Sequence, residues 1–205
     1  MGSTRTPEEE KLARFWAENR PSIIWNNFTR GAIEGKNMDA WRTARLLALI
    51  HTAMADGIST GLESAYYHYF WRPETAIHEG DRDNNEATSA DATWIPFVTE
   101  APNPIPAGNF VSPPIPEHGS SVALYGAATA EILQSVLETD QVNIDLASAS
   151  LPGTTITYTS IAQAARDNAV SKIYTGWNFR KSVLAGEKMG KQVAQYIYNN
   201  HFREN

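Results

Sequence analysis

Apolar residues recur at helical intervals in five segments of the chain, and this pattern predicts a mostly α-helical fold. The first helix begins at Thr6 and Pro7, where a candidate cap and a proline precede three acidic residues. The second begins near residue 38 and continues until Pro73 ends or kinks it near Arg72. The other three helices are predicted at about 120–138, 161–173 and 184–201.

The segments between these helices are either β-like or polar. Residues 142–159 contain short runs of β-branched residues, which favour strands. Residues 79–116 are polar and then rich in proline, asparagine and glycine, and so long an excursion usually shapes a site or an interface. The pattern predicts one domain, 1–205, built as a mainly α bundle with a long loop at about 79–116. The residues of the last helix expected to face the core are Val193, Tyr196 and Ile197.

Charge and cysteine content argue against several classes of protein. The 205 residues carry a net charge of -6, which argues against a nucleic-acid-binding protein. There are no cysteines, so disulfides, thiol catalysis and cysteine-ligated zinc are excluded. The sequence has no apolar run long enough for a membrane span. It also shows no signal peptide, so we expect a cytoplasmic location.

Three stretches carry motifs with a specific order and spacing. They are ESAYYHYFWRPETAI at 63–77, PPIPEHGSSVALYGAATAEIL at 113–133 and SKIYTGWNFR at 171–180. In this order they resemble the superfamily of vanadium-dependent haloperoxidases and type 2 phosphatidic acid phosphatases. The opening segment RTPEEEKLARFWAENRP resembles its bacterial-type haloperoxidase-like branch. The resemblance implies a helical bundle of the haloperoxidase and acid phosphatase type, shortened at its N-terminal side.

In that superfamily the three motifs bind a tetrahedral oxyanion. The resemblance implies that a lysine and two arginines neutralise the anion, while a serine and helix-start N–H groups donate hydrogen bonds to it. A final histidine bonds vanadium, or attacks phosphorus in the phosphatases. A second histidine, within a Pro-Ser-Gly-His motif, moves protons.

The charged positions of the motif are largely changed in this chain. Arg72 keeps the first arginine, Ala65 stands at the lysine position, and Lys172 replaces the second arginine. One positive charge is therefore lost outright. Because each charge-assisted hydrogen bond is worth about 1.5–3 kcal/mol, several such losses weaken oxyanion binding by orders of magnitude.

The serine and histidine positions differ as well. Ser120 keeps the serine, whereas Ser121 stands at the glycine and Val122 at the proton-moving histidine. Asn178 replaces the histidine that bonds vanadium. An amide is a poor metal ligand and no nucleophile, and valine carries no proton. The comparison with the motif therefore predicts that vanadate binding is lost, and we expect no cofactor and no metal.

The residues expected to carry any remaining chemistry lie in and beside these motifs. The catalytic candidates are His118, Arg72, Lys172 and Asn178. The substrate-binding candidates are Ser120, Ser121, Trp71, Tyr69, Trp177 and His68. Among them, His118 could supply the base that Val122 cannot.

Simpler interpretations of the same residues stay open. Arg72 could pair with Glu74 or Glu63, Lys172 could be solvated, and His118 could be an ordinary loop histidine. The aromatic residues of segment 66–71 could belong to the core or to an interface. The acidic segment 78–86 has a spacing that could coordinate a hard cation, but it lacks the glycine and distant glutamate of an EF-hand, so a solvated loop is favoured.

Two classes of function follow from the changed motif. One is a repurposed, cofactor-independent enzyme of natural-product biosynthesis. It would be a cyclase, isomerase or hydrolase acting on an organic, anionic or isoprenoid intermediate. The other is a catalytically dead relative that acts as a binding or structural homo-oligomer, expected as a homodimer, using Trp25, Trp41 and residues 66–71. Residual haloperoxidase or phosphatase activity is a further alternative.

Overall fold

The computed structural model describes residues 4–98, 112–148 and 151–203, and in these ranges it confirms the mainly α-helical bundle. Seven α-helices, a short 3-10 helix at Gly80–Arg82 and one β-hairpin form this part of the chain. The helices and strands are α1 (Pro7–Glu18), α2 (Pro21–Ile33), α3 (Ala40–His68), α4 (Pro73–His78), α5 (Ser121–Leu137), β1 (Gln141–Ala147), β2 (Thr155–Ser160), α6 (Ile161–Tyr174) and α7 (Arg180–Asn200).

Helix α1 begins where the sequence predicts. The Thr6 hydroxyl accepts a hydrogen bond from the Glu9 N–H, and the Glu9 carboxylate accepts one from the Thr6 N–H. This capping box satisfies two N–H groups that the helix itself leaves without partners. Phe15 and Trp16 are buried in the core.

Helix α2 was not predicted from the sequence. Its N-cap, Arg20, forms no side-chain cap, so the only local start signal is Pro21 at the first helical position. Burial of Trp25 and Phe28, three residues apart, holds this helix in the bundle. Trp25 is fully buried, so its proposed role at an exposed interface is wrong.

Helix α3 ends earlier than the proline suggests. It stops at His68, and Tyr69 then adopts a left-handed conformation with φ of 47°. Pro73 occupies the first position of α4 and begins that helix, so it does not end α3. Arg72 is consequently the N-cap residue of α4, in extended conformation, and it lies at the junction of two helices.

Helix α5 lies at the centre of the bundle and contacts α2, α3, α6 and α7. Two glycines of α7 allow its close approach to α5. A Cβ at Gly186 would lie 2.4 Å from the Ser120 carbonyl oxygen, and one at Gly190 would lie 2.4 Å from that of Leu124. The first turn of α5 is thereby fixed against α7.

The hairpin closes one side of the aromatic core. Strands β1 and β2 pair antiparallel, with Ile144 opposite Tyr158. Tyr158 is buried, and its hydroxyl accepts a hydrogen bond from Trp16 Nε1 at 3.1 Å. This contact ties the hairpin to α1 and confirms the strands predicted within 142–159.

Two further expectations concern surface and core. Ile197 is buried as predicted, but Tyr196 is 63% exposed, so its predicted placement in the core is wrong.

Much of the long excursion, residues 99–111, lies outside the described residues. Its preceding part is held to the end of α6, since the Phe97 N–H donates to the Thr175 carbonyl at 2.9 Å. None of the described helices is both long and apolar enough to cross a membrane.

Candidate active site

A small cavity of about 90 Å³ opens at the start of α5, and we call it the central cavity. The residues predicted from the sequence that line it are Arg72, His118, Ser120, Ser121, Trp177 and Asn178. The fold therefore brings together residues from all three motifs, which are far apart in the sequence. Ala65 and Val122, which stand at the lysine and histidine positions of the motif, add apolar surface.

Arg72 is held from three sides. Its Nε donates to the Ile115 carbonyl at 2.8 Å, and its Nη1 donates to the Trp177 carbonyl at 3.0 Å. The same Nη1 lies 3.2 Å from Glu117 Oε2, and the Arg72 side chain is only 12% exposed. The suggested partners Glu74 and Glu63 are wrong, because the ion pair is formed with Glu117.

Glu117 is a residue of the site that the sequence analysis did not identify. Its Oε2 accepts from Asn178 Nδ2 at 2.7 Å, and its Oε1 accepts from the Phe179 N–H at 2.9 Å. Ser182 adds a further side-chain hydrogen bond. Burial raises the pKa of Glu117, and the Arg72 charge opposes that rise. The available signal was an acidic residue within an apolar, proline-rich stretch, since such a carboxylate needs a partner when buried.

Asn178 follows a tight turn at the end of α6. Gly176 makes that turn with φ of +83°, and a Cβ there would lie 2.9 Å from the Trp94 ring. The Asn178 N–H then donates to the Lys172 carbonyl at 3.2 Å. Because the Asn178 amide also donates to Glu117, its side chain acts as a hydrogen-bond donor within the protein.

Lys172 does not line the central cavity. It is 1% exposed, so the alternative of a solvated lysine is wrong. Its Nζ donates to the Trp16 carbonyl at 2.9 Å and lies 5.5 Å from the centre of the Trp177 ring. No carboxylate of the described residues pairs with it, and burial lowers its pKa to about 7.

The start of α5 faces the central cavity. Ser120 is the N-cap residue, and its Oγ accepts from the Ala123 N–H at 3.5 Å. In the described part of the chain, the N–H groups of Gly119, Ser121 and Val122 have no hydrogen-bond partner. These groups are donors available to a ligand, and the helix dipole favours negative charge beside them.

His118 lies at the edge of the cavity, beside a serine that the sequence did not single out. Its Nδ1 is 2.7 Å from Ser64 Oγ, and its ring centre is 3.7 Å from that of His68. Burial lowers the pKa of His118, and His68 and Lys181 lower it further. Ser64 lies immediately before Ala65 in the first motif, so its nearness to that motif position was the available signal.

The other candidates lie outside the central cavity. His68 reaches it only through His118, Tyr69 is 77% exposed, and Trp71 packs against Phe70. In the acidic segment, Asp83 accepts from the Asn85 N–H and from the Thr88 hydroxyl. Within residues 4–98, 112–148 and 151–203, no group of three or more histidine, cysteine, aspartate or glutamate side chains could hold a metal ion.

Comparison with known families agrees with the motif order. The profile of the family described as the VCPO second helical-bundle domain matches residues 45–204. The chain belongs to this family. The matched residues include α5, α6, α7 and all residues that line the central cavity.

Solved structures of vanadium haloperoxidases share the fold of this VCPO second-domain protein. The crystal structure of the first bacterial vanadium-dependent iodoperoxidase is 25% identical with a TM-score of 0.75, over 94% of this chain and 43% of that chain. The holo-type bacterial vanadium-dependent chloroperoxidase is 16% identical with a TM-score of 0.63, over 96% and 45%. The apo-type bacterial vanadium-dependent chloroperoxidase is 15% identical with a TM-score of 0.66, over 95% of this chain and 44% of that chain. This chain thus spans less than half of each, and no curated protein matches it.

The polar side chains at the motif positions of this chain form contacts within the protein itself. The side chain at the metal-bonding position, Asn178, donates to Glu117, and the cation of Lys172 is directed to Trp16. Ala65 leaves the lysine position without charge. Arg72 remains, but its charge is already opposed by a carboxylate at 3.2 Å.

Proposed function

We propose that this chain has exchanged vanadate-dependent oxidation for non-redox chemistry on a small organic substrate. The observation that carries the proposal is the network of Arg72, Glu117 and Asn178, in which two motif positions bond to a carboxylate of the protein itself. The central cavity is lined by polar residues of the motifs and has His118 at its edge, which supports a retained catalytic role.

The charge balance of the network supports the loss of oxyanion binding. Arg72 contributes one positive charge to the cavity and Glu117 one negative charge, so the pair leaves no excess to attract an anion. An oxyanion entering the cavity would also be repelled by Glu117. The remaining donors are backbone N–H groups, and each neutral hydrogen bond contributes only about 0.5–1.5 kcal/mol net.

The size of the central cavity limits which substrates can enter it. Pockets for drug-sized ligands occupy roughly 300–1,000 Å³, whereas this cavity measures about 90 Å³. It suits a short group such as an acetyl, with the rest of the substrate outside. A buried isoprenoid chain does not fit within it, so a hydrolase is favoured over an isoprenoid cyclase.

Assays of halide oxidation and ester hydrolysis test this proposal. The wild type is expected to show no vanadate-dependent oxidation of bromide or iodide by peroxide, and to hydrolyse a short-chain ester. His118→Asn is expected to slow that hydrolysis about 100-fold, which is typical when a general base is lost. Halide oxidation that needs both vanadate and Arg72 would contradict the proposal.

A second candidate function, a binding or structural homodimer, rests on exposed aromatic residues. Tyr66, Tyr67, Tyr69 and Phe70 are between 51% and 83% exposed, which is unusual for so many adjacent rings. Sedimentation would show a dimer that Tyr67→Glu dissociates. A wild type that stays monomeric at all concentrations, together with ester turnover, would favour the enzyme.

A further inference from the structure

A serine hydroxyl and a histidine imidazole meet beside the central cavity, and we call them the serine–histidine pair. Ser64 and His68 lie one turn apart on α3, and His118 lies in the segment before α5. Ser64 Oγ is 2.7 Å from His118 Nδ1, which is within hydrogen-bond distance. The His68 ring stacks on His118 at 3.7 Å, with 36° between the planes, and limits the movement of the imidazole.

The charges around His118 favour its neutral form. His118 is flanked by His68 and the exposed Lys181, and a positive charge on either opposes protonation of the imidazole. The carboxylate of the adjacent Glu117 is engaged by Arg72 and Asn178, so it does not stabilise an imidazolium at His118. A neutral imidazole can accept the proton of a hydroxyl, as a general base does.

The backbone before α5 approaches the same hydroxyl at Gly119. Gly119 is left-handed, with φ of +59°, and a Cβ at this position would lie 3.9 Å from Ser64 Oγ. The backbone of Gly119 is therefore near the hydroxyl, and its N–H, with those of Ser121 and Val122, has no partner in the described ranges. Fixed N–H groups of this kind stabilise the oxyanion that forms when a hydroxyl attacks a carbonyl.

We propose that Ser64 is a nucleophile and His118 its general base, and that they transfer a short acyl group from an ester to water. This inference rests on the non-redox function proposed above and assigns its reacting atom. The substrate class is a small ester whose acyl group enters the central cavity. The assignment rests on the distance between the two side chains, the cavity beside His118, and the approach of the Gly119 backbone to Ser64 Oγ.

The reaction balances without a cofactor. Ser64 Oγ forms a bond to the carbonyl carbon while its proton moves to His118 Nδ1. The bond to the ester oxygen then breaks, and His118 returns the proton to the departing alcohol. Water attacks the acyl-serine, giving its proton to His118, which passes that proton to Ser64 Oγ as the acid is released.

Covalent labelling tests this assignment directly. The full chain is incubated with p-nitrophenyl acetate, and separately with a fluorophosphonate, and the adduct is located by peptide mass spectrometry. We expect both adducts on Ser64, and none there in Ser64→Ala. His118→Asn, in which the hydroxyl remains, is expected to label about 100-fold more slowly. Ser59→Ala is the matched control, because Ser59 lies on the same helix and donates to the Ala55 carbonyl.

Each outcome separates this inference from the proposed function. If the folded wild type forms no adduct on Ser64, the assignment of Ser64 as the nucleophile is wrong. Ester turnover that survives in Ser64→Ala would also overturn it, while leaving non-redox chemistry in place. Equal labelling of Ser64 in wild type and His118→Asn would remove His118 as the base. Vanadate-dependent halide oxidation would instead contradict the proposed function, whatever happens at Ser64.

Discussion

Arg72 and Lys172 are two basic residues at motif positions, and the protein treats them differently. Arg72 contacts the Glu117 carboxylate at 3.2 Å at the edge of the central cavity. Lys172, a buried residue of α6, donates to the Trp16 carbonyl of α1. One cation is thus compensated by a charge, and the other by a dipole and an aromatic ring.

The difference shows that the fold gives two basic residues at motif positions different partners. Burial lowers the pKa of Arg72, but the Glu117 charge opposes this effect, and the pair remains together. Lys172 has no such partner, and burial lowers its pKa to about 7. The partner that the fold supplies decides whether the charge stays and whether it faces the cavity.

The largest expected effect comes from removing the carboxylate of the Arg72 pair. Glu117→Gln leaves Arg72 with an uncompensated charge in a site that water hardly reaches, and breaking a buried pair destabilises by about 3–5 kcal/mol. Urea unfolding at pH 7 measures this change.

A surface pair provides the control for that variant. Arg82 and Glu79 form an ion pair at 2.9 Å with side chains 70% and 42% exposed, and Glu79→Gln is expected to change stability by less than about 1 kcal/mol. Similar small losses for both variants would show that burial of the Arg72 pair is unimportant.

The second prediction concerns the pH dependence caused by Lys172. The unfolded lysine keeps its proton up to about 10.5, whereas the folded one loses it near 7. Between these values the unfolded state binds more protons, so stability rises with pH, at most about 1.4 kcal/mol per unit. From pH 7 to pH 9 the rise should be roughly 2 kcal/mol, and Lys172→Met should abolish it.

Denaturant unfolding across this pH range measures the effect. Lys191, an exposed lysine of α7, supplies the control, because Lys191→Met should keep the rise of the wild type. A wild type whose stability does not change from pH 7 to pH 9 would show that Lys172 keeps its proton in the fold.

The smallest expected effect extends the comparison to His118, a partly buried basic residue at the edge of the central cavity. Burial is the first cause of its lowered pKa, and the neighbouring His68 is the second. His68→Asn should therefore raise the pKa of His118 towards its ordinary value of 6.5, without reaching it. Proton NMR titration of the imidazole measures this shift, and a downward shift would contradict the assignment of the charges.

The sequence predicted the bundle because its helices carry local signals. The Thr6 cap and the periodic apolar residues of α3 specify helices without reference to distant parts of the chain. Helix α2 has no capping side chain, and its burial depends on contacts with the aromatic core, so the pattern alone did not reveal it.

The site was less predictable because its partners come from distant segments. The motifs did identify Arg72, Ser120 and Asn178, which the fold brings to one cavity. The pairing of Arg72 with Glu117 joins residues 45 positions apart, and it depends on how the segment before α5 folds. The orientation of the Lys172 side chain depends on α1, because the Trp16 carbonyl accepts a hydrogen bond from Lys172 Nζ.

Titration calorimetry of orthovanadate into the wild type and Arg72→Ala tests the central claim most directly. The claim is that the internal pairing of Arg72 leaves the cavity without affinity for the family's oxyanion. We predict no binding by either protein at millimolar vanadate, which corresponds to less than about 4 kcal/mol of binding free energy. Binding to the wild type at micromolar vanadate that Arg72→Ala abolishes would contradict this account.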